Sequence, residues 1–143
     1  MQLEHILFCE MARNEASGQV SIIGYYVGDA IGFELPLEVP LQMIPNLSCV
    51  IVLGDMDHVR TVRMQCQVRF LEKEVLNTPT QDQVISDPKK YYTLLFGFAP
   101  FPCLQGPGDY EFRFIIQPGT DAPTTYARKF RIETRASKAV IRH

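Results

Sequence analysis

The sequence contains no tryptophan, and its three histidines, His5, His58 and His143, stand far apart. None has a serine, cysteine or aspartate arranged with it in a nucleophile pattern such as Gly-x-Ser-x-Gly. Nothing local therefore points to hydrolytic catalysis. The four cysteines, Cys9, Cys49, Cys66 and Cys103, form no Cys-x-x-C pair. Zinc sites usually draw on closely spaced ligands, so this spacing argues against metal. No apolar run approaches the length of a membrane-spanning helix. The opening residues, Met1 to His5, lack the basic start and apolar core of a secretory leader. Neither sign of charge dominates: 14 lysines and arginines face 16 aspartates and glutamates, a net charge of −2. A nucleic-acid partner calls for a basic domain, so none is expected. There is no internal repeat and no long stretch of helical periodicity.

What is present is strand. Residues 61–70 alternate without a break: Val62, Met64, Cys66, Val68 and Phe70 on one side, Thr61, Arg63, Gln65, Gln67 and Arg69 on the other. A period of two marks a strand with one dry face and one wet face. The preceding run, Leu47 to Gly54, is apolar on both faces. Gly54, Asp55 and Asp57 between them are turn formers. The pattern predicts a hairpin in which Leu53 faces Val62, Ile51 faces Met64, Cys49 faces Cys66 and Leu47 faces Val68.

Other segments follow the same logic. Leu3–Cys9 reads as a strand, Asn14–Gly18 as a turn, and Gln19–Val27 as a second strand rich in β-branched and aromatic residues. In Gly28–Pro45 apolar residues alternate with Pro36 and Pro40. Proline cannot donate to a ladder, so an edge strand or extended ribbon is expected. Glu72–Lys90 is polar and interrupted by Pro79 and Pro88, and reads as a long surface loop. Tyr91–Phe98 is apolar on both faces and reads as a central strand. Tyr110, Phe112, Phe114 and Ile116 form the dry side of a last hairpin that turns at Pro118–Pro123 and returns through Tyr126, Phe130 and Ile132. Arg128 shares that dry side and is expected to snorkel from a rim.

These segments predict an all-β fold: an antiparallel two-layer β-sandwich, immunoglobulin-like or jelly-roll-like, of about seven to nine strands. One domain over 1–133 carries a basic C-terminal tail, 134–143, with Arg135, Lys138 and Arg142. Three charges without interleaved aromatics read as a solvated end rather than a nucleic-acid site. A chain of 143 residues is long enough to bury about 68–70% of its unfolded surface in one core.

Two stretches carry a resemblance. One is Ile6-Leu7-Phe8-Cys9, a polar turn ending in Gly18, then Val20-Ser21-Ile22-Ile23-Gly24. The other is Gly106-Pro107-Gly108-Asp109-Tyr110-Glu111-Phe112. Together they resemble an uncharacterised family of small bacterial β-sandwich proteins, a domain of unknown function. That resemblance spans nearly the whole chain. It implies a fold and brings neither an active site nor a ligand. Gly108-Asp109-Tyr110 also resembles the tyrosine corner of immunoglobulin-like sandwiches, where the hydroxyl turns back to the backbone.

No catalytic, cofactor-binding or metal-binding residue is assigned. Asp55, Asp57 and His58 could in principle offer oxygen and nitrogen ligands, but a turn explains them more simply. Gly106 and Gly108 do not join a strand to a helix, so they form no phosphate cradle. The cysteines read as small buried hydrophobes in a reducing, cytoplasmic setting. The remaining feature is apolar surface: Val50, Val52, Tyr91, Leu95, Tyr25 and Ile23 lie opposite the expected core face and need a cover. The expected function is a non-enzymatic protein-interaction module that binds a protein partner through an outer sheet face or the Glu72–Lys90 loop, or itself as a homodimer on an outer sheet face. The alternatives are a structural subunit of a phage or secretion particle, and a small-ligand or sugar binder.

Overall fold

The fold is seen in a computed structural model, which describes residues 1–35, 43–103 and 105–136, with no side-chain detail at 34, 35, 135 and 136. It is all-β. The strands are β1 (Gln2–Asn14), β2 (Val20–Tyr25), β3 (Ala30–Leu35), β4 (Met43–Ile44), β5 (Leu47–Gly54), β6 (Thr61–Phe70), β7 (Lys73–Asn77), β8 (Gln81–Val84), β9 (Tyr92–Phe98), β10 (Phe101–Pro102), β11 (Gly108–Pro118) and β12 (Thr124–Ala136). These twelve strands of the described residues exceed the seven to nine expected, because short polar strands and a long proline-rich segment conceal several of them. A four-stranded sheet has the order β2-β1-β5-β9. A six-stranded sheet has the order β3-β12-β11-β6-β7, with β8 also paired to β6, and β4 and β10 form a small separate pair.

One core cluster draws on both large sheets. Phe8 of β1 meets Phe112 of β11 at 5.1 Å between ring centroids and Phe130 of β12 at 5.0 Å. Phe96 of β9 meets Phe114 of β11 at 5.4 Å. Tilted and edge-on contacts of this kind suit the quadrupoles of aromatic rings and add to their burial.

The C-terminal hairpin forms as the sequence predicts. Tyr110 faces Phe130, Phe114 faces Tyr126 and Ile116 faces Thr124. Arg128 stands opposite Phe112 and is exposed, and its Nε donates to Asp29 Oδ2 at 2.8 Å. The β1–β2 turn also falls where expected: Asn14 faces Val20, and Glu15 N–H donates to Gln19 O.

The central hairpin does not form. β5 pairs with β1 and β9, while β6 pairs with β11, β7 and β8. The segment from Asp55 to Arg60 carries the chain from one sheet to the other. The dry faces are nonetheless those predicted: Leu47, Cys49, Ile51 and Leu53 are buried, as are Val62, Met64, Cys66 and Val68. They meet across the core and not side by side. The physical reason lies in the connection, where Met56 and Val59 are 0% and 4% exposed. A tight turn would leave both in water; an arch between sheets buries them. Met56 N–H donates to Lys90 O at 3.0 Å, and Val59 N–H donates to Met56 O.

Three further expectations need correction. Glu72–Lys90 is not one long loop, since β7 and β8 add strands to the six-stranded sheet along β6. Cys66 N–H donates to Thr78 Oγ1, and Arg63 Nε donates to Asp82 Oδ1 at 2.8 Å, so polar side chains secure these edge strands. β9 is an edge strand and not a central one. Finally, the pairing is not wholly antiparallel, because β3 runs parallel to β12. β3 is an edge, as expected of the proline-rich segment; residues 36–42 lie outside the described residues. β12 reaches Ala136, three residues into the stretch read as a tail, and 137–143 lie outside the description.

β1 also curls. Thr93 and His5 both stand opposite Val52. Asn14 lies nine residues beyond His5 on the same strand, about 30 Å away if the strand were flat. Yet Asn14, Gly18 and Val20 line one cleft with Thr93 and Leu95. The β1–β2 hairpin therefore bends back far enough to bring its tip beside β9.

Candidate functional site

The residues singled out by sequence as possible chemistry are dispersed. His5 is exposed on β1. His58 is exposed in the arch, its Nδ1 3.5 Å from Asp57 Oδ1. Asp55 takes a positive φ of 54° at the exit of β5, the backbone role expected of a turn aspartate. His143 lies outside the described residues. Among the described residues, no three His, Cys, Asp or Glu side chains cluster in a way that could hold a metal ion.

Gly106 and Gly108 serve the corner before β11. Both have positive φ, 83° and 139°. The Tyr110 hydroxyl donates to Gly106 O at 2.7 Å, which is the tyrosine-corner contact expected from the sequence. Burial pushes this phenol up to about 12. No helix of the described residues is long and apolar enough to cross a membrane.

All four cysteines are free and buried. Burial pushes the Cys66 thiol up to about 12. It also raises Cys49 well above the ordinary thiol range, with a further push from Cys66 across the core. Such thiols stay protonated and are poor nucleophiles.

The outer side of the four-stranded sheet is apolar, as the sequence suggested, but unevenly exposed. Val50 is buried, with Leu7 and Leu95 beside it in register. The open part is β2. Among the described residues it ends the sheet, pairs only with β1, and has an unpaired backbone edge. Ile23 and Tyr25 are 53% and 51% exposed on one face, with Met11 opposite Ile23; Ile22 is 39% exposed on the other face. Val27 follows at 79%. Isolated exposed apolar residues are ordinary, whereas several on one unpaired strand are a template for pairing with another strand.

A second surface feature was not legible in the sequence. The tip of the β1–β2 hairpin, the segment from Gln83 to Lys89 and the start of β9 enclose a cleft of about 400 Å³, with Met56 and Ile85 at its apolar base. Residues 83–95 supply most of it, and the β1–β2 tip and Met56 reach it only through the fold, so no local motif could announce it. A comparison with known proteins finds no family model that matches this chain and no curated protein similar to it.

Proposed function

We propose that the protein is a non-enzymatic interaction module that self-associates through the free edge of β2. The observation that carries this reading is a strand that, among the described residues, is terminal, exposes apolar side chains on both faces and leaves one ladder edge unpaired. Natural edge strands are usually blunted by charge, proline or a covering segment. Residues 20–25 contain no charge and no proline. Two copies related by a two-fold axis would pair β2 against β2 antiparallel, joining the ladders and setting Ile22, Ile23 and Tyr25 in cross-strand contact with the partner's strand.

The wider setting belongs to the same proposal. A two-layer, immunoglobulin-like sandwich is supported by the aromatic contacts between the two large sheets and by the Tyr110 corner. Kinship with small bacterial β-sandwich proteins is supported by the Ile6–Gly24 and Gly106–Phe112 stretches. A cytoplasmic setting is supported by four unpaired, buried thiols.

Light scattering coupled to gel filtration tests the central claim. The expected mass is twice the 16.3 kDa chain, returning to one chain in Ile23→Lys with an unchanged far-UV spectrum. A wild-type monomer at about 1 mM chain would overturn it. A mass that climbs continuously with concentration would instead favour an open-ended particle subunit.

A further inference from the structure

The cleft beside β9 has a composition that the edge-pairing proposal does not use. Asn14, Gln83, Ser86, Asp87, Lys89 and Tyr91 lie on its wall. The Tyr92 hydroxyl donates to Gln83 Oε1 at 2.6 Å, tying the start of β9 to β8 and leaving the amide nitrogen of Gln83 to donate elsewhere. Among the described residues, Asn14, Ser86, Asp87 and Lys89 make no side-chain hydrogen bond or ion pair within the chain. The wall therefore holds a carboxylate that accepts, an ammonium that donates, and amides and a hydroxyl that do both.

Each ligand class makes a different demand on such a wall. An anionic ligand needs more surplus positive charge than the single Lys90 beside Tyr91 supplies, since Asp87 and Lys89 on the wall cancel. A metal ion needs clustered ligands, which are absent among the described residues. An apolar ligand would strip water from polar groups without replacing their hydrogen bonds. A ligand whose every hydroxyl both donates and accepts meets the set without that loss.

The aromatic residue completes the match. Tyr91 is 56% exposed, and Lys90 Nζ sits over one face of its ring, 5.5 Å from the centroid. An exposed tyrosine ring offers a flat apolar surface at little entropic cost. The frame is held by backbone bonds on both sides, from Met56 N–H to Lys90 O at 3.0 Å and from Ile85 N–H to Arg60 O at 2.8 Å. At about 400 Å³ the cleft falls within the range of small-molecule sites, roughly 300–1,000 Å³.

We propose that this cleft binds a neutral oligosaccharide, with one sugar ring stacked on Tyr91 and its hydroxyls shared among Asp87, Lys89, Asn14 and Gln83. Amide chemical shifts of the full chain test this during titration with gluco-, manno-, galacto-, xylo- and chito-oligosaccharides to about 10 mM. At least one should shift the amides of Ser86, Asp87, Lys89 and Tyr91. Tyr91→Ala and Asp87→Asn should each weaken that binding about tenfold or more, while Tyr91→Phe keeps it. Both Tyr91 and Asp87 are exposed, so the variants should fold, and Gln83→Ala gives an independent check. The proposal is overturned if none of these sugars shifts any amide, if the shifts map to another surface, or if the folded variants bind as the parent does.

Discussion

Tyr110 donates its hydroxyl to the carbonyl oxygen of Gly106, 2.7 Å away and four residues upstream. Its ring is fully buried among Phe70 at 4.8 Å and Phe101 at 5.7 Å. One side chain thus joins the corner before β11 to the aromatic core. Tyr110→Phe keeps the ring and removes the donor, leaving the Gly106 carbonyl without it. The expected loss is about 1–3 kcal/mol, read as a lower urea midpoint at unchanged slope. An unchanged midpoint would mean that the corner contact does not contribute to stability.

Gly108 lies beneath the same aromatic group. At a φ of 139° it occupies backbone space that other residues rarely adopt, and a Cβ there would lie 2.7 Å from Cε2 of Phe70. Gly108→Ala should therefore destabilise through both strain and overlap, by about 1–3 kcal/mol. Phe70→Leu in the same chain should recover part of that loss. A double-mutant cycle showing strictly additive effects would rule out the overlap.

Phe8 joins the two large sheets, touching Phe112 and Phe130 with none of its surface exposed. Phe8→Ala should cost about 3–5 kcal/mol, measured by thermal or urea unfolding. A loss below about 1 kcal/mol would be the value of a surface site and would contradict the placement of β1 against β11 and β12.

The buried thiol and phenol make stability fall in alkali. Burial lifts Cys66 from 9.0 to about 12 and Tyr110 from 10.0 to about 12. In both cases the folded state holds its proton more tightly than the unfolded chain. Below pH 9 both states are protonated and the full stability is present. Between about pH 9 and 12 the unfolded chain loses protons first, so stability declines as pH rises. Denaturation followed from pH 8 to 11 should show this decline, and Cys66→Ala should flatten part of it. A thiol reagent at pH 8 should leave all four cysteines unmodified until denaturant is added; rapid labelling of Cys66 in the native protein would contradict its burial.

The alternation of residues 61–70 and the apolar run of residues 47–54 state which side chains are dry, and the structure buries Leu47, Cys49, Ile51, Leu53, Val62, Met64, Cys66 and Val68. They do not state whether the two strands share a sheet. A hairpin and an arch give one and the same alternation, because each only requires that the dry faces reach the core. The distinguishing signal is the connection, where Met56 and Val59 interrupt otherwise turn-forming residues. Edge strands are harder to read. Lys73–Asn77 and Gln81–Val84 bury little, so they lack the apolar pattern that reveals a strand. Tyr91, Thr93 and Leu95 mislead in the opposite direction: they line a cleft with the hairpin tip, which makes an edge strand look central.

The sequence by itself determined the strand-rich class, the C-terminal hairpin, the β1–β2 turn and the Tyr110 corner. Each depends on residues near one another in the chain, through side-chain alternation, turn preference or a hydroxyl reaching four residues back. Only the tertiary structure decided that β5 and β6 part company, that β1 curls toward β9, and that Asn14, Asp87 and Tyr91 meet around one cleft. Those outcomes depend on which dry faces pack together, and burial rewards any arrangement that removes the same apolar area from water.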